Sequence, residues 1–185
     1  MLTFAIEKNS LVTMSDGLPD EQYHPIGALR FYSITSDEEF AFTQDAKGQV
    51  SELVAKKNGR ERKAARLGPL MHNLKPQTDP NPARTEMLKQ ALFACGQGGT
   101  AVANSADFAA STKTAFGNRA LPECVGVNAV AFLHEQDVSD RAVERHASKV
   151  SKVLFYKMAV NRPEQFLLIY LDHAGRIADL DTVAD

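Results

Sequence analysis

Serine and lysine side chains at close spacing are the first candidates for chemistry, because a serine acts as a nucleophile when a nearby base takes its proton. The S-x-x-K pattern places a lysine one helical turn after such a serine. No serine in this chain has a lysine three positions later, and there is no G-x-S-x-G elbow. The nearest approach, SKVSK at 148–152, alternates as a strand does. The sequence therefore predicts no nucleophilic site, and we expect a chain that is not an enzyme.

Metal and phosphate sites are also poorly indicated. His134-Glu135 lacks the second histidine of H-E-x-x-H, and the five histidines are scattered. The glycine-rich run 96–99 follows a predicted helix rather than a strand and lacks the P-loop lysine, so it indicates the end of a helix. We expect no cofactor and no metal ion.

Tyrosine and aspartate side chains suggest a different chemistry. An isomerase of the ketosteroid type needs an Asp base and a Tyr or protonated acid in an apolar cavity. Tyr156, Tyr170, Asp172 and Asp107 are candidates for such a pocket by residue type. Their spacing does not indicate convergence, and the two tyrosines are also explained as sheet residues with hydroxyls at the rim. A small-molecule-binding or isomerase-like cone in 84–185 is therefore the alternative function.

The two cysteines, Cys95 and Cys124, do not form a C-x-x-C pair, so zinc and redox motifs have no support. A Cys95–Cys124 disulfide would fit an extracytoplasmic protein, and two buried free thiols would fit a cytoplasmic one. The sequence leaves both readings open.

Composition narrows the class of protein. The chain has 185 residues, 44% of them hydrophobic, which is enough to build a core, and a formal charge of −2. No apolar run is long enough to cross a membrane as a helix. The basic stretch 56–66 lacks aromatic residues for base stacking, so we interpret it as a solvated hairpin and expect no nucleic-acid partner.

Residues 1–68 predict a small antiparallel β meander or half-barrel. Phe40, Phe42 and the run 50–54 alternate, while D-A-K-G at 45–48 and Asn58-Gly59 indicate tight turns. The pattern F-x-F-x-x-D-x-x-G-x-V-x-x-L at 40–53, with N-G-R-E at 58–61 and a basic end at 66, resembles the β-rich, lipocalin-like accessory domain found at the C-terminus of bacterial β-lactamase-related serine hydrolases. That resemblance implies a module without catalytic residues of its own.

Residues 69–83 carry three prolines in seven positions and predict an extended linker. Residues 84–185 predict an α+β domain with helices first and antiparallel strands after. The expected helices are 84–94 and one capped by Asn104 or Ser105; the expected strands are 125–134, 148–160, 165–172 and 177–183. The pattern L-x-x-Y-L-D-x-x-G-R-I-x-x-L at 167–180 is similar to the final hairpin of cystatin-like domains.

In the run 166–171, both the odd-numbered and the even-numbered positions are apolar, whereas a half-exposed strand would alternate apolar and polar residues. Both faces of this strand are therefore expected to be covered. Helices cover one face, and Phe166, Leu168 and Tyr170 on the other are candidates for an interface with the N-terminal domain, a second subunit or a partner domain. A central strand buried within its own domain is the other interpretation.

Together these features predict a non-catalytic accessory module, the tail of or partner to a bacterial serine hydrolase, acting through protein contacts. The expected partners are a hydrolase catalytic domain or a second copy in a homodimer. The N-terminus begins in a strand without a signal peptide, which favours a fragment or processed chain. The location is periplasmic or secreted if the resemblance holds, and cytoplasmic if the chain is complete as written.

Overall fold

The computed structural model describes residues 3–7, 10–14, 21–69, 71–97, 101–117, 130–158 and 165–184. It is a mixed α+β structure with two antiparallel sheets, so the predicted fold class is confirmed at that level. The chain divides into two compact units, Met1–Arg66 and Leu67–Asp185. We call them the meander unit and the helix–sheet unit. No helix among the described residues is long and apolar enough to cross a bilayer.

The meander unit is a seven-stranded antiparallel sheet in which each strand pairs with the next along the chain. Its strands are β1 Thr3–Glu7, β2 Ser10–Met14, β3 Glu21–Gly27, β4 Arg30–Ser33, β5 Glu38–Gln44, β6 Val50–Lys57 and β7 Arg60–Ala65. The predicted two-residue turn between β6 and β7 is confirmed, with φ of 51° at Asn58 and 72° at Gly59. Asn and Gly tolerate this left-handed conformation, which matches the twist of the flanking strands.

The helix–sheet unit begins with a 3-10 turn at Met71–Asn73 and three helices, α1 Pro82–Gln97, α2 Ala101–Asn104 and α3 Ala110–Phe116. Five strands follow: β8 Val130–Asp137, β9 Glu144–Arg145, β10 Ser148–Met158, β11 Gln165–Asp172 and β12 Ile177–Ala184. The sheet order is β12-β11-β10-β8, and β9 pairs with β10. Helix side chains and one side of the sheet form a single core, which includes Leu88, Leu92, Leu154, Leu167 and Ile169. We call this side of the sheet the helix side and the other the far side.

Two predicted elements differ from the structure, and one strand was not predicted. The helix expected to follow Asn104 or Ser105 begins only at Ala110, as α3, because Phe108 instead forms a parallel bridge with Ile177, and the separate helix α2 precedes the expected start. Residues 69–83, predicted as a linker, belong to the helix–sheet unit, and the backbone N–H of Gln77 donates to the carbonyl of Phe132 at 2.9 Å. Strand β9 was not predicted at all. The predicted strand ends at 125–129 and 159–160 lie outside the described residues.

Candidate functional site

The four residues predicted for a pocket do not come together. Tyr156 pairs across the sheet with Leu167, a member of the helix-side core, whereas Tyr170 pairs with Val153 on the far side. Since side chains alternate across a strand, the two phenols point in opposite directions. The Tyr156 hydroxyl lies 2.7 Å from Thr85 Oγ1 on α1, and both side chains are buried. Tyr156 therefore links α1 to the sheet.

Tyr170 is fully buried, and its hydroxyl forms hydrogen bonds with two charged side chains. It donates to Asp181 Oδ2 at 2.7 Å and accepts from Arg145 Nη2 at 3.1 Å. The Arg145 guanidinium also lies 4.5 Å from the centre of the Tyr170 ring, within cation–π range. Burial and the negative charge of Asp181 raise the pKa of Tyr170 well above its ordinary value. The phenol stays neutral and is committed to this network.

The turn that carries this network has an uncommon backbone. His146 and Ala147, which join β9 to β10, have φ of 47° and 60°, the left-handed region that residues with a Cβ seldom occupy. His146 Nε2 lies 3.1 Å from Asp179 Oδ1, and its ring meets Phe116 edge-on at 5.5 Å. No turn motif marks these positions in the sequence, because neither residue is glycine, asparagine or proline.

Asp172 and Asp107, the other two predicted pocket residues, hold turns. Asp172 Oδ1 accepts from the backbone N–H groups of Ala174 and Arg176, each at 2.9 Å, and Oδ2 accepts from the Arg176 side chain. Asp107 accepts from the Ser105 hydroxyl at 3.1 Å, and its carbonyl accepts from the backbone of Ile177 at 2.7 Å. Both carboxylates thus serve local structure.

The residues predicted for an interface, Phe166, Leu168 and Tyr170, are all buried in the chain. Phe155, the cross-strand partner of Leu168, is covered from within the same unit. A Cβ placed on Gly68 would lie 2.6 Å from Phe155 Cζ, so the backbone at Gly68 passes directly over the ring. This part of the far side is therefore an internal contact of the helix–sheet unit.

A carboxylate held between two cations lies on the helix side of the sheet and was missed by the sequence reasoning. Glu135 accepts from Arg84 Nη2 at 2.6 Å and from Lys152 Nζ at 2.5 Å. Burial alone would raise the pKa of Glu135, but hydrogen bonds from Lys152 and Arg84 outweigh it and hold the pKa below its ordinary value. The three residues are far apart in the sequence, so no motif could have indicated them.

The meander unit has an apolar surface that is only partly covered. Tyr23 stacks on Phe40 at 4.4 Å, and Phe4 meets Phe40 and Phe42 edge-on at 5.3 and 5.4 Å. We call Phe4, Tyr23, Phe31, Phe40 and Phe42 the aromatic face. Within the described residues, this cluster has three buried members, Leu11, Tyr23 and Phe40, whereas Phe4, Phe31, Phe42, Leu53 and Ala55 are partly exposed. Among the described residues, five apolar side chains of this cluster therefore keep part of their surface exposed.

One end of the aromatic face is polar. The Tyr23 hydroxyl lies 3.0 Å from Glu38 Oε2 and 3.1 Å from Glu21 Oε2, and buried Ser33 donates to the other oxygen of Glu21 at 2.5 Å. Burial, with the hydrogen bond and charge of Glu38, raises the pKa of Tyr23. Exposed apolar side chains lie nearby in sequence: Ile34, in the turn between β4 and β5, is 79% exposed, and Ile26, near the end of β3, is 50% exposed.

Two further features concern the helix–sheet unit. Cys95 is fully buried and disulfide-bonded, while Cys124, the only other cysteine of the chain, lies outside the described residues. A cavity of about 340 Å³ is lined by residues 139–144, Lys149, Val150 and His173. None of the four predicted pocket residues lines it.

Comparison with known proteins gave no match, whether to a protein-family model, a curated protein or a solved structure.

Proposed function

We propose that this chain is a non-catalytic accessory module that acts through protein contacts, as the tail of or partner to a bacterial serine hydrolase. The observation that carries the proposal is the partly covered aromatic face, where Phe31 and Phe42 remain accessible beside buried Phe40. Aromatic side chains in partly exposed clusters are common anchors of protein–protein interfaces.

The hydrogen bonding of the enclosed polar side chains supports the same proposal. Tyr170, Tyr156 and Glu135 are candidates for acid–base chemistry, but each is hydrogen-bonded to protein partners and none lines the described cavity. A general acid or base needs a proton within reach of a substrate. The isomerase-like alternative in 84–185 therefore has less support, since its two tyrosines lie on opposite sides of the sheet.

The helix–sheet unit is proposed to be a cystatin-like domain. The helices precede the strands, pack on one side of an antiparallel sheet, and share a continuous core with it. This order and layering support the cystatin-like interpretation. The resemblance of the meander motif to the hydrolase accessory module supports the choice of partner.

Photo-crosslinking in the cells that make the protein tests the contact role. A benzoylphenylalanine replaces Phe42 on the aromatic face, and a matched control replaces Thr43, the exposed next residue on the opposite side of β5. We expect an adduct with a serine hydrolase from position 42 and little from position 43. Equal or absent labelling at both positions would contradict the proposal.

A second measurement addresses catalysis directly. The purified chain is incubated with nitrocefin and with p-nitrophenyl acetate, and we expect no turnover above buffer. Hydrolysis that disappears when a single serine is replaced by alanine would overturn the non-catalytic role.

A further inference from the structure

Within the part of the chain that the structure describes, β7 is an edge strand of the meander sheet. It pairs with β6 on one side, and residues 60–64 are all exposed. In a hairpin closed by a two-residue turn, alternate residues exchange hydrogen bonds with the partner strand. Arg60 pairs with Lys57 next to the turn, and the Arg66 N–H donates to the Ser51 carbonyl at 2.9 Å, so the even-numbered residues face β6. The backbone groups of residues 61, 63 and 65 therefore point outward.

This edge is strongly basic in an acidic chain. The hairpin at 50–66 has six basic and two acidic side chains, a net charge of +4, whereas the whole chain has −2, which leaves −6 for the rest. Glu61 pairs with Lys56 at 3.5 Å. Within the described residues, no ion pair is found for Arg60, Arg62 or Lys63. The open backbone and the surplus positive charge thus coincide on one strand.

The positive charge of β7 determines which kind of strand can pair with its outer edge. A second copy of β7 would place like charges opposite one another, which destabilises strand pairing. An acidic extended segment would satisfy both the backbone groups and the cations. A nucleic acid would use the cations but not the outward N–H and C=O ladder, and β7 has no aromatic side chain on which bases would stack.

We propose that β7 binds an extended acidic segment of the partner protein as an eighth strand of the meander sheet. This inference rests on the proposed contact function and specifies the partner's chemistry. Arg62 pairs with Ala55 of β6, which in turn pairs with Phe40 of β5, so Arg62 lies on the side of the aromatic face. Lys63, the next residue, lies on the opposite side. Acidic residues at successive positions of the added strand would then meet a cation on either side of the sheet.

Fluorescence anisotropy with the full chain tests the inference. The probe is a labelled octapeptide with the repeat Glu-Glu-Thr-Thr, so that carboxylates project from both sides of the strand. Its matched control is N-methylated at every residue, which keeps the charge but removes the backbone N–H donors from both strand edges. We expect saturable binding of the first peptide and at least tenfold weaker binding of the second. Equal binding of both, or no binding of either, overturns the proposal, as does equal competition by an oligothymidine of eight nucleotides.

Chain variants locate the site. Arg60→Ser, Arg62→Ser and Lys63→Ser combined should weaken binding about tenfold, since three exposed charge pairs are lost. A control variant with Lys47→Ser, Lys75→Ser and Lys149→Ser has the same net charge, and these three lysines are also exposed. It should bind as the unmodified chain does. Equal weakening in the two variants would mean a non-specific effect of net charge and would overturn the proposal.

Photo-crosslinking from a benzoylphenylalanine that replaces Lys63 distinguishes the β7 inference from the proposed contact function. Adducts from positions 42 and 63 with the same protein support both. An adduct from position 42 alone overturns the β7 inference and leaves the contact function standing. The absence of adducts from both positions overturns both.

Discussion

Replacing Gly68 by alanine should destabilise the helix–sheet unit, because the new methyl group has no room. The added Cβ would lie 2.6 Å from Cζ, 3.0 Å from Cε2 and 3.4 Å from Cε1 of Phe155. The ring is 2% exposed, so it cannot swing into solvent. Overpacking of this kind costs about 1–3 kcal/mol. With a urea m-value of about 2 kcal/mol/M, the unfolding midpoint should fall by roughly 1 M.

Because the chain has two units, the measurement must report on one of them. Hydrogen exchange of peptides from β10 and β11, followed against urea concentration, reads the helix–sheet unit alone. Gly27→Ala is the matched control, since an added Cβ there has no neighbour closer than 4.0 Å. Because Gly27 lies in the meander unit, this variant should leave the exchange of the β10 and β11 peptides unchanged.

A double variant tests the stated cause. If the clash with the ring is responsible, Phe155→Leu should recover part of the loss, and the double variant should be about 1 kcal/mol more stable than the two single effects predict. A Gly68→Ala chain within about 0.5 kcal/mol of the unmodified protein would refute the close approach. A double variant with strictly additive effects would show that the loss has another origin.

The remaining predictions concern the polar contacts of the helix–sheet unit. Tyr156→Phe and Thr85→Val should each lower the free energy of unfolding by about 1–2 kcal/mol, because each leaves a buried hydroxyl without its partner. The double variant should lose about 1 kcal/mol less than the sum of the two single losses. Strictly additive losses in the same exchange assay would contradict the hydrogen bond between the two hydroxyls. Because the pKa of Glu135 is lowered in the folded state, its stabilisation is present above the unfolded pKa near 4.5 and is lost as pH falls through the folded value. Glu135→Gln should therefore flatten the loss of stability on acidification below pH 4.5, measured by urea unfolding at a series of pH values, and an unchanged pH dependence would count against the ion pair.

The two motifs that carried the family resemblances turn out to share one local structure. Asp45 Oδ1 accepts from the N–H groups of Lys47 and Gln49 at 2.8 and 2.9 Å, as Asp172 Oδ1 does from the second and fourth residues after it. Gly48 and Gly175 occupy equivalent positions, with φ of 76° and 77°. The pattern D-x-x-G-x followed by an aliphatic residue therefore describes a hairpin turn, which any antiparallel sheet can use. Part of each resemblance is therefore explained by the residues that this turn requires, and that part is not evidence of common ancestry.

Local signals explain what was predictable from the sequence. The alternation of Phe40 and Phe42 set a strand with one apolar side, Asn58-Gly59 set a two-residue hairpin, and the two-sided apolar run at 166–171 indicated a strand covered on both sides. These features depend on residues within a few positions of one another. The α+β class followed from the same periodicities.

The sites depend on contacts that no local pattern contains. Sequence by itself determined most strands, most turns and the lack of an S-x-x-K motif. Only the tertiary structure decided that Tyr156 and Tyr170 point to opposite sides, that Glu135 lies between Arg84 and Lys152, and that Gly68 crosses the Phe155 ring. The physical reason is that register fixes which side chains share a face. A one-residue shift in strand pairing reverses every side chain, so residue type alone cannot show which groups meet.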